Sequence, residues 1–199
     1  MTHKYPLKAT FRFITLSPEV QVKDADERLL MQVKQKLLTL REDTTIYGDE
    51  AKTQPLYRMK ANQIIGFRAV HTITRIKDET VVGGLRAAGL RSIWRASYDI
   101  TDASGNTLLH IQEGNPWVKV LDGLLDEIPL IGPLIAMFIN PYYTVRTPGG
   151  ADVFRILKKR SFVARHFLLE RLGDSPEGVS EDLAAITLVE VAMLERNRQ

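Results

Sequence analysis

The stretch "SEDLAAITLVEVAMLERNRQ" (Ser180–Gln199) decides how the rest of the chain must be arranged. Ser180 reads as an N-cap, able to accept an otherwise orphaned backbone N–H, and Glu181 and Asp182 complement the positive end of a helix dipole. At 100° per residue, Leu183, Ala184, Ala185, Ile186, Leu188, Val189, Val191, Ala192, Met193 and Leu194 then cover nearly the whole circumference. Only Thr187 and Glu190 break the pattern, at i,i+3 spacing. A surface helix keeps a polar face. A helix over 181–196 with this pattern has to be enclosed, with Leu183, Ile186, Val189, Ala192 and Met193 as its structural core and Thr187 and Glu190 either at a mouth or paired inside. Its apolar part rises about 18 Å against the roughly 30 Å of a bilayer core, so it does not span a membrane.

The remainder of the chain supplies the enclosure. "FRFITL", "VQVKDADERLLMQVK", "TTIYGD", "QPLYRMK", "FRAVHTITRIKDETVVGGLR", "SIWRASYDITDASGNTLLHIQEG", "YYTVRTPGGADVFRILKK" and "SFVARHFLLERL" alternate apolar and polar side chains or carry short β-branched runs. They amount to about ten to twelve strands. A strand–turn–strand unit recurs four times, through "KDADE" (Lys23–Glu27), "IKDET" (Ile76–Thr80), "DASGN" (Asp102–Asn106) and "TPGGAD" (Thr147–Asp152). Hairpins in series build a meander. Within "SIWRASYDITD" the alternation places Trp94, Ala96, Tyr98 and Ile100 on an apolar face and Arg95, Ser97, Asp99 and Thr101 on a wet one. A long antiparallel sheet with one apolar face must close on itself or find a cover.

Between the third and fourth hairpins lies an apolar excursion over 116–139. Asn115 as N-cap and Pro116 as first helical residue predict a short helix to about Leu125, with Trp117, Val120, Leu121, Leu124 and Leu125 on one stripe. Ile128–Ile139 is expected to continue as a short helix or strand; Pro129, Gly132 and Pro133 interrupt it, so it too is no transmembrane segment. Among 199 residues, 44% are apolar and 26% charged, which suits a single domain over 1–199 with one substantial core. The net charge of +3 permits contact with anionic surfaces without demanding it, and nucleic acid is not an expected partner. The absence of cysteine excludes disulfides, thiolate metal sites and a cysteine nucleophile. "MTHKYPLKATFRF" has no apolar core of signal-peptide length, so a cytoplasmic location, peripheral to the membrane where headgroups are bound, is the expectation.

The chain offers little chemistry. "VVGGLRAAGLRS" resembles a phosphate loop through Gly84 and Gly89, but Leu90 stands where the lysine would be needed. "DASGN", with Glu113 further on, echoes a calcium loop, yet Thr107 occupies the position of its sharp-turn glycine, and a hairpin turn is the better reading. His3, His71, His110 and His166 lie far apart and read as ordinary half-exposed strand residues. No nucleophile elbow is present and the carboxylates are scattered over turns, so neither an enzyme, a cofactor nor a metal site is expected. The remaining signal is basic: Arg86, Arg91 and Arg95 in "GLRAAGLRSIWR", and Lys158, Lys159, Arg160 and Arg165 in "LKKRSFVARHF". Such groups supply charge-assisted hydrogen bonds to anionic headgroups, or else form a plain solvated face.

Several blocks together, "GLRSIWRASYDITDASGN", "NPWVKVLD" leading into "IPLIGPLIAMFINPYYTV", and "KKRSFVARHFLLERL" followed by the apolar helix, resemble the LURP-one-related family of the tubby C-terminal-like superfamily, to which phospholipid scramblases are related. The resemblance runs from about Phe11 to Leu194. It implies a mainly β protein: a closed antiparallel barrel of about twelve strands enclosing the hydrophobic C-terminal helix, the architecture that also satisfies both anomalies above. It implies contact with phosphoinositides or other anionic phospholipids at a membrane surface, although the headgroup pocket of tubby domains does not map onto this chain; the basic clusters are inferred from charge alone. The leading expectation is thus a non-catalytic binding or scaffolding domain. The alternatives are a lipid-transfer or scramblase-like factor or an enzyme acting at the barrel mouth, and a protein-interaction module using Ile128–Ile139.

Overall fold

A computed structural model describes residues 3–12, 19–34, 43–65, 68–87, 97–114, 142–159 and 166–197. Twelve strands follow one another along the chain: β1 (Leu7–Arg12), β2 (Glu19–Lys23), β3 (Leu29–Lys34), β4 (Asp43–Tyr47), β5 (Pro55–Ile65), β6 (Arg68–Arg75), β7 (Thr80–Ala87), β8 (Ser97–Thr101), β9 (Thr107–Glu113), β10 (Tyr142–Arg146), β11 (Asp152–Lys159) and β12 (His166–Arg171). Each pairs antiparallel with its sequence neighbours, and β1 pairs with β12 through Leu7↔Leu169 and Ala9↔Phe167, closing the barrel. Among the described strands no sheet edge is left open to template aggregation. One helix, α1 (Glu181–Asn197), follows.

Period-two patterning becomes an inside and an outside. Leu7, Ala9 and Phe11, Val20 and Val22, Leu109 and Ile111, and Phe154 and Ile156 point inward and are buried. The helix completes this core: every residue from Leu183 to Met193 is buried, including Leu183, Ile186, Val189, Ala192 and Met193. It starts as its sequence predicts, with Leu183 N–H donating to Ser180 Oγ at 3.1 Å. Gly83 serves this packing. A Cβ there would lie 2.5 Å from the Thr101 carbonyl oxygen and 3.4 Å from Leu183 Cδ1, so "VVGG" is a close approach of β7 to β8 and the helix.

Because the strands run up and down, their connections sort by parity. The turns after β2, β4, β6, β8 and β10, and the segment joining β12 to α1, lie at one end, here the turn end. The strand ends at Arg12, Lys34, Ile65, Ala87, Glu113 and Lys159 lie at the other, here the loop end. All four predicted turns are found, and a fifth was missed: the β4–β5 turn folds over the outer face of β2 and β3. There Gln21 donates to Glu50 at 2.8 Å, Gln32 donates to Glu19 at 2.9 Å, and Lys52 pairs with Glu19. Gln21 and Gln32 are therefore buried although they face outward. Thr101 departs from expectation in one respect: it keeps the outward face, opposite Gly84 on β7 and Thr107 on β9, but is buried there rather than wet. The predicted helix over 116–125 and the segment Ile128–Ile139 lie outside the described residues.

Candidate functional site

Two polar groups of side chains anchor the helix inside the barrel. At the turn end, the N-terminal segment crosses the start of α1. Tyr5 Oη donates to Glu181 at 2.8 Å, His3 Nε2 lies 3.2 Å from Asp182, and Tyr57 Oη donates to the other Asp182 oxygen at 2.5 Å. Arg171 pairs with Glu181 while its guanidinium sits 4.4 Å over the Tyr5 ring, which stacks on Phe154. Burial, reinforced by the Asp182 hydrogen bond, pushes the Tyr57 hydroxyl up to about 12, and burial and Glu181 raise Tyr5 likewise. Both phenols stay neutral donors at ordinary pH. Asp182 and Glu181 thus complement the helix dipole and are themselves satisfied by donors from β5, β12 and the N-terminal segment.

Deeper in, the two polar positions of the helix are both accounted for. Thr187 Oγ1 donates back to the Leu183 carbonyl at 2.7 Å. Glu190, 2% exposed, faces His71 Nδ1 with both carboxylate oxygens at 3.1 Å. The reading of four half-exposed strand histidines therefore holds for His110 and His166 only; His3 and His71 are buried partners of helix carboxylates, and His3 precedes β1. Glu190 was the available clue: a carboxylate on an otherwise apolar helix requires a donor, and an inward-facing histidine supplies one.

Further titratable side chains face inward on β8 to β11. Glu113 and Tyr143 are direct cross-strand neighbours, Tyr98 pairs with Ile111 two residues before Glu113, and Lys158 lies two residues beyond Ile156, the partner of Tyr143. All four are buried, Lys158 to 4%. This corrects the expectation for Lys158, whose inward position removes it from the surface that would meet a headgroup.

Among the other predicted site residues, Arg86 donates to Asp99 and to Thr107, each at 3.1 Å, and Asp99 also takes His110 at 2.7 Å. Its charge is already partnered on the outer wall. Lys159 is exposed at the loop end. Arg86 on β7 and Lys159 on β11 are separated by three strands, so the structure does not gather them into one pocket. Arg91, Arg95, Arg160 and Arg165 lie outside the described residues.

The loop-end rim nevertheless has a definite electrostatic character. Lys34 on β3, Lys60 on β5 and Lys159 on β11 are exposed, and Tyr142 on β10, the strand next to β11, is one of the large exposed apolar residues. The outward carboxylates nearest this rim are occupied: Glu19 by Lys52, Asp43 by Arg58 at 3.2 Å, and Asp99 by Arg86. Burial and the nearby Lys8 hold His166 below the usual imidazole value, so it remains neutral at pH 7.

Among the described residues, no group of three His, Asp or Glu side chains could hold a metal ion, and no helix is long and apolar enough to cross a membrane. Asp102 spends its carboxylate on the turn, accepting the Ser104 and Asn106 N–H groups at 2.8 Å and the Asn106 amide at 2.9 Å, while Gly105 at φ +87° makes the bend. In comparisons with known proteins, no family model, curated protein or solved structure matches the chain.

Proposed function

We propose that this chain is a non-catalytic binding domain, of the kind the LURP-one-related resemblance implies, whose loop-end rim engages anionic phospholipid headgroups at a membrane surface. The observation that carries this reading is the rim itself, where exposed Lys34, Lys60 and Lys159 stand among carboxylates that other side chains already occupy. The sequence adds support. Three segments that join strands at this end, "QKLLTLRE" (35–42), "AGLRSIWRA" (88–96) and "RSFVAR" (160–165), combine an excess of Lys and Arg with large apolar residues. That composition suits an interface with anionic headgroups outside and acyl chains beneath. The 115–141 segment is strongly apolar and carries Asp122, Asp126 and Glu127 against Lys119, a net charge of −2 that offsets part of this excess.

Cosedimentation tests the proposal. The protein should pellet with phosphatidylcholine vesicles containing phosphatidylserine or a phosphoinositide at low salt, and much less at high salt, because exposed charges are screened beyond about 3 Å at 1 M. Failure to pellet with any of these vesicles at low salt removes the reading.

A further inference from the structure

We infer that the barrel meets an anionic bilayer end-on, loop end first, with the turn end held away from the surface. The inference rests on the headgroup reading above and adds the pose. The two ends of the barrel carry opposite charge. At the turn end, "DADER" (24–28), "GDEAKTQ" (48–54), "IKDE" (76–79), "DASGN" (102–106) and "LGDSPEGVS" (172–180) each hold more carboxylates than cations. The turn after β10 is uncharged. At the loop end, Lys34, Lys60 and Lys159 are exposed.

An anionic surface therefore attracts one end and repels the other, and both effects turn the molecule the same way. Distance makes the preference steep. Ser104, in the β8–β9 turn, and Gln112, near the loop end of β9, are both exposed and belong to one hairpin. At about 3.3 Å per residue the strand from Thr107 to Gln112 alone puts about 17 Å between them, about 13 Å of it along the axis of a barrel whose strands tilt by about 40°. This exceeds the roughly 8 Å over which exposed charges act at physiological ionic strength. End-on, the acidic turns lie beyond the reach of the membrane charge; lying on its side, the barrel would bring them into it and set them against the attraction of the lysines.

The chain has no cysteine, so one introduced thiol is a unique label. Gln112→Cys and Ser104→Cys, each carrying an environment-sensitive dye, are added to phosphatidylcholine–phosphatidylserine vesicles whose lipids bear a doxyl quencher. Both sites are exposed, and circular dichroism verifies that each labelled variant keeps the wild-type fold. The end-on pose gives severalfold stronger quenching at 112 than at 104. Equal quenching, or stronger quenching at 104, with cosedimentation intact overturns the pose and leaves the headgroup reading standing. No quenching at either site together with no cosedimentation overturns the headgroup reading, including where the protein instead binds a soluble polyanion such as polyglutamate.

Discussion

Replacing His71 by alanine removes the imidazole that faces Glu190 inside the barrel. Breaking one side of a buried pair of this kind costs about 3–5 kcal/mol, because the carboxylate stays behind in a low-dielectric interior. Urea denaturation should show a loss of that size for His71→Ala, and His71→Leu combined with Glu190→Leu should recover most of it, since an apolar pair leaves no buried charge. A loss under about 1 kcal/mol for the single variant would show that the pair is energetically idle. Glu190 and Thr187 stand out in the sequence, because polar side chains on an all-apolar helix demand an explanation. The partner of Glu190 does not stand out, since it lies 119 residues earlier and only the closed barrel brings the two together. The same limit applies to Lys158 and Arg86. Charge is visible in sequence, but a one-residue register choice decides which face a strand residue takes, and the position of Asp99 across the ladder decides whether an arginine is already paired.

The helix is the element on which the barrel core converges. A carboxylate at Val189, fully buried on α1 within the hydrophobic core, should cost several kcal/mol. Against a domain stability of roughly 5–15 kcal/mol, Val189→Glu should largely unfold the protein. A thermal melt followed by circular dichroism checks this, and an unchanged midpoint would place the helix at the periphery. This element was legible because its signals agree: a capping serine, acidic residues in the first turn, and an apolar circumference too short for a bilayer. The strands were legible through their alternation, and four turns through Asp, Asn, Gly and Pro. The left-handed position of the fifth turn is Lys52, at φ +59°, just as Glu27 and Glu79 hold it in two of the turns that were found, so backbone conformation does not set the missed turn apart. Thr101 keeps the face its alternation predicts, and only its burial there was not legible.

At the scale of the whole molecule, twelve strands in up-and-down order give the barrel two chemically distinct ends, because alternate connections fall on opposite rims. Closure could be anticipated from the sequence, since a half-apolar meander and an apolar helix need each other. The polarity of the ends could not, because it depends on the parity of each strand and therefore on finding every turn. That polarity underlies the functional account, and two charge-matched variants test it most directly. Lys34→Glu with Lys159→Glu reverses two exposed charges at the loop end; Lys4→Glu with Lys77→Glu reverses two exposed charges at the turn end. Both have the same net charge, so any effect of net charge alone is equal in the two. With a membrane-facing lysine contributing about 1 kcal/mol, the loop-end variant should lose at least about tenfold in cosedimentation with phosphatidylserine vesicles, while the turn-end variant binds like the wild type. Equal losses in the two variants, or a greater loss from the turn end, would contradict the account.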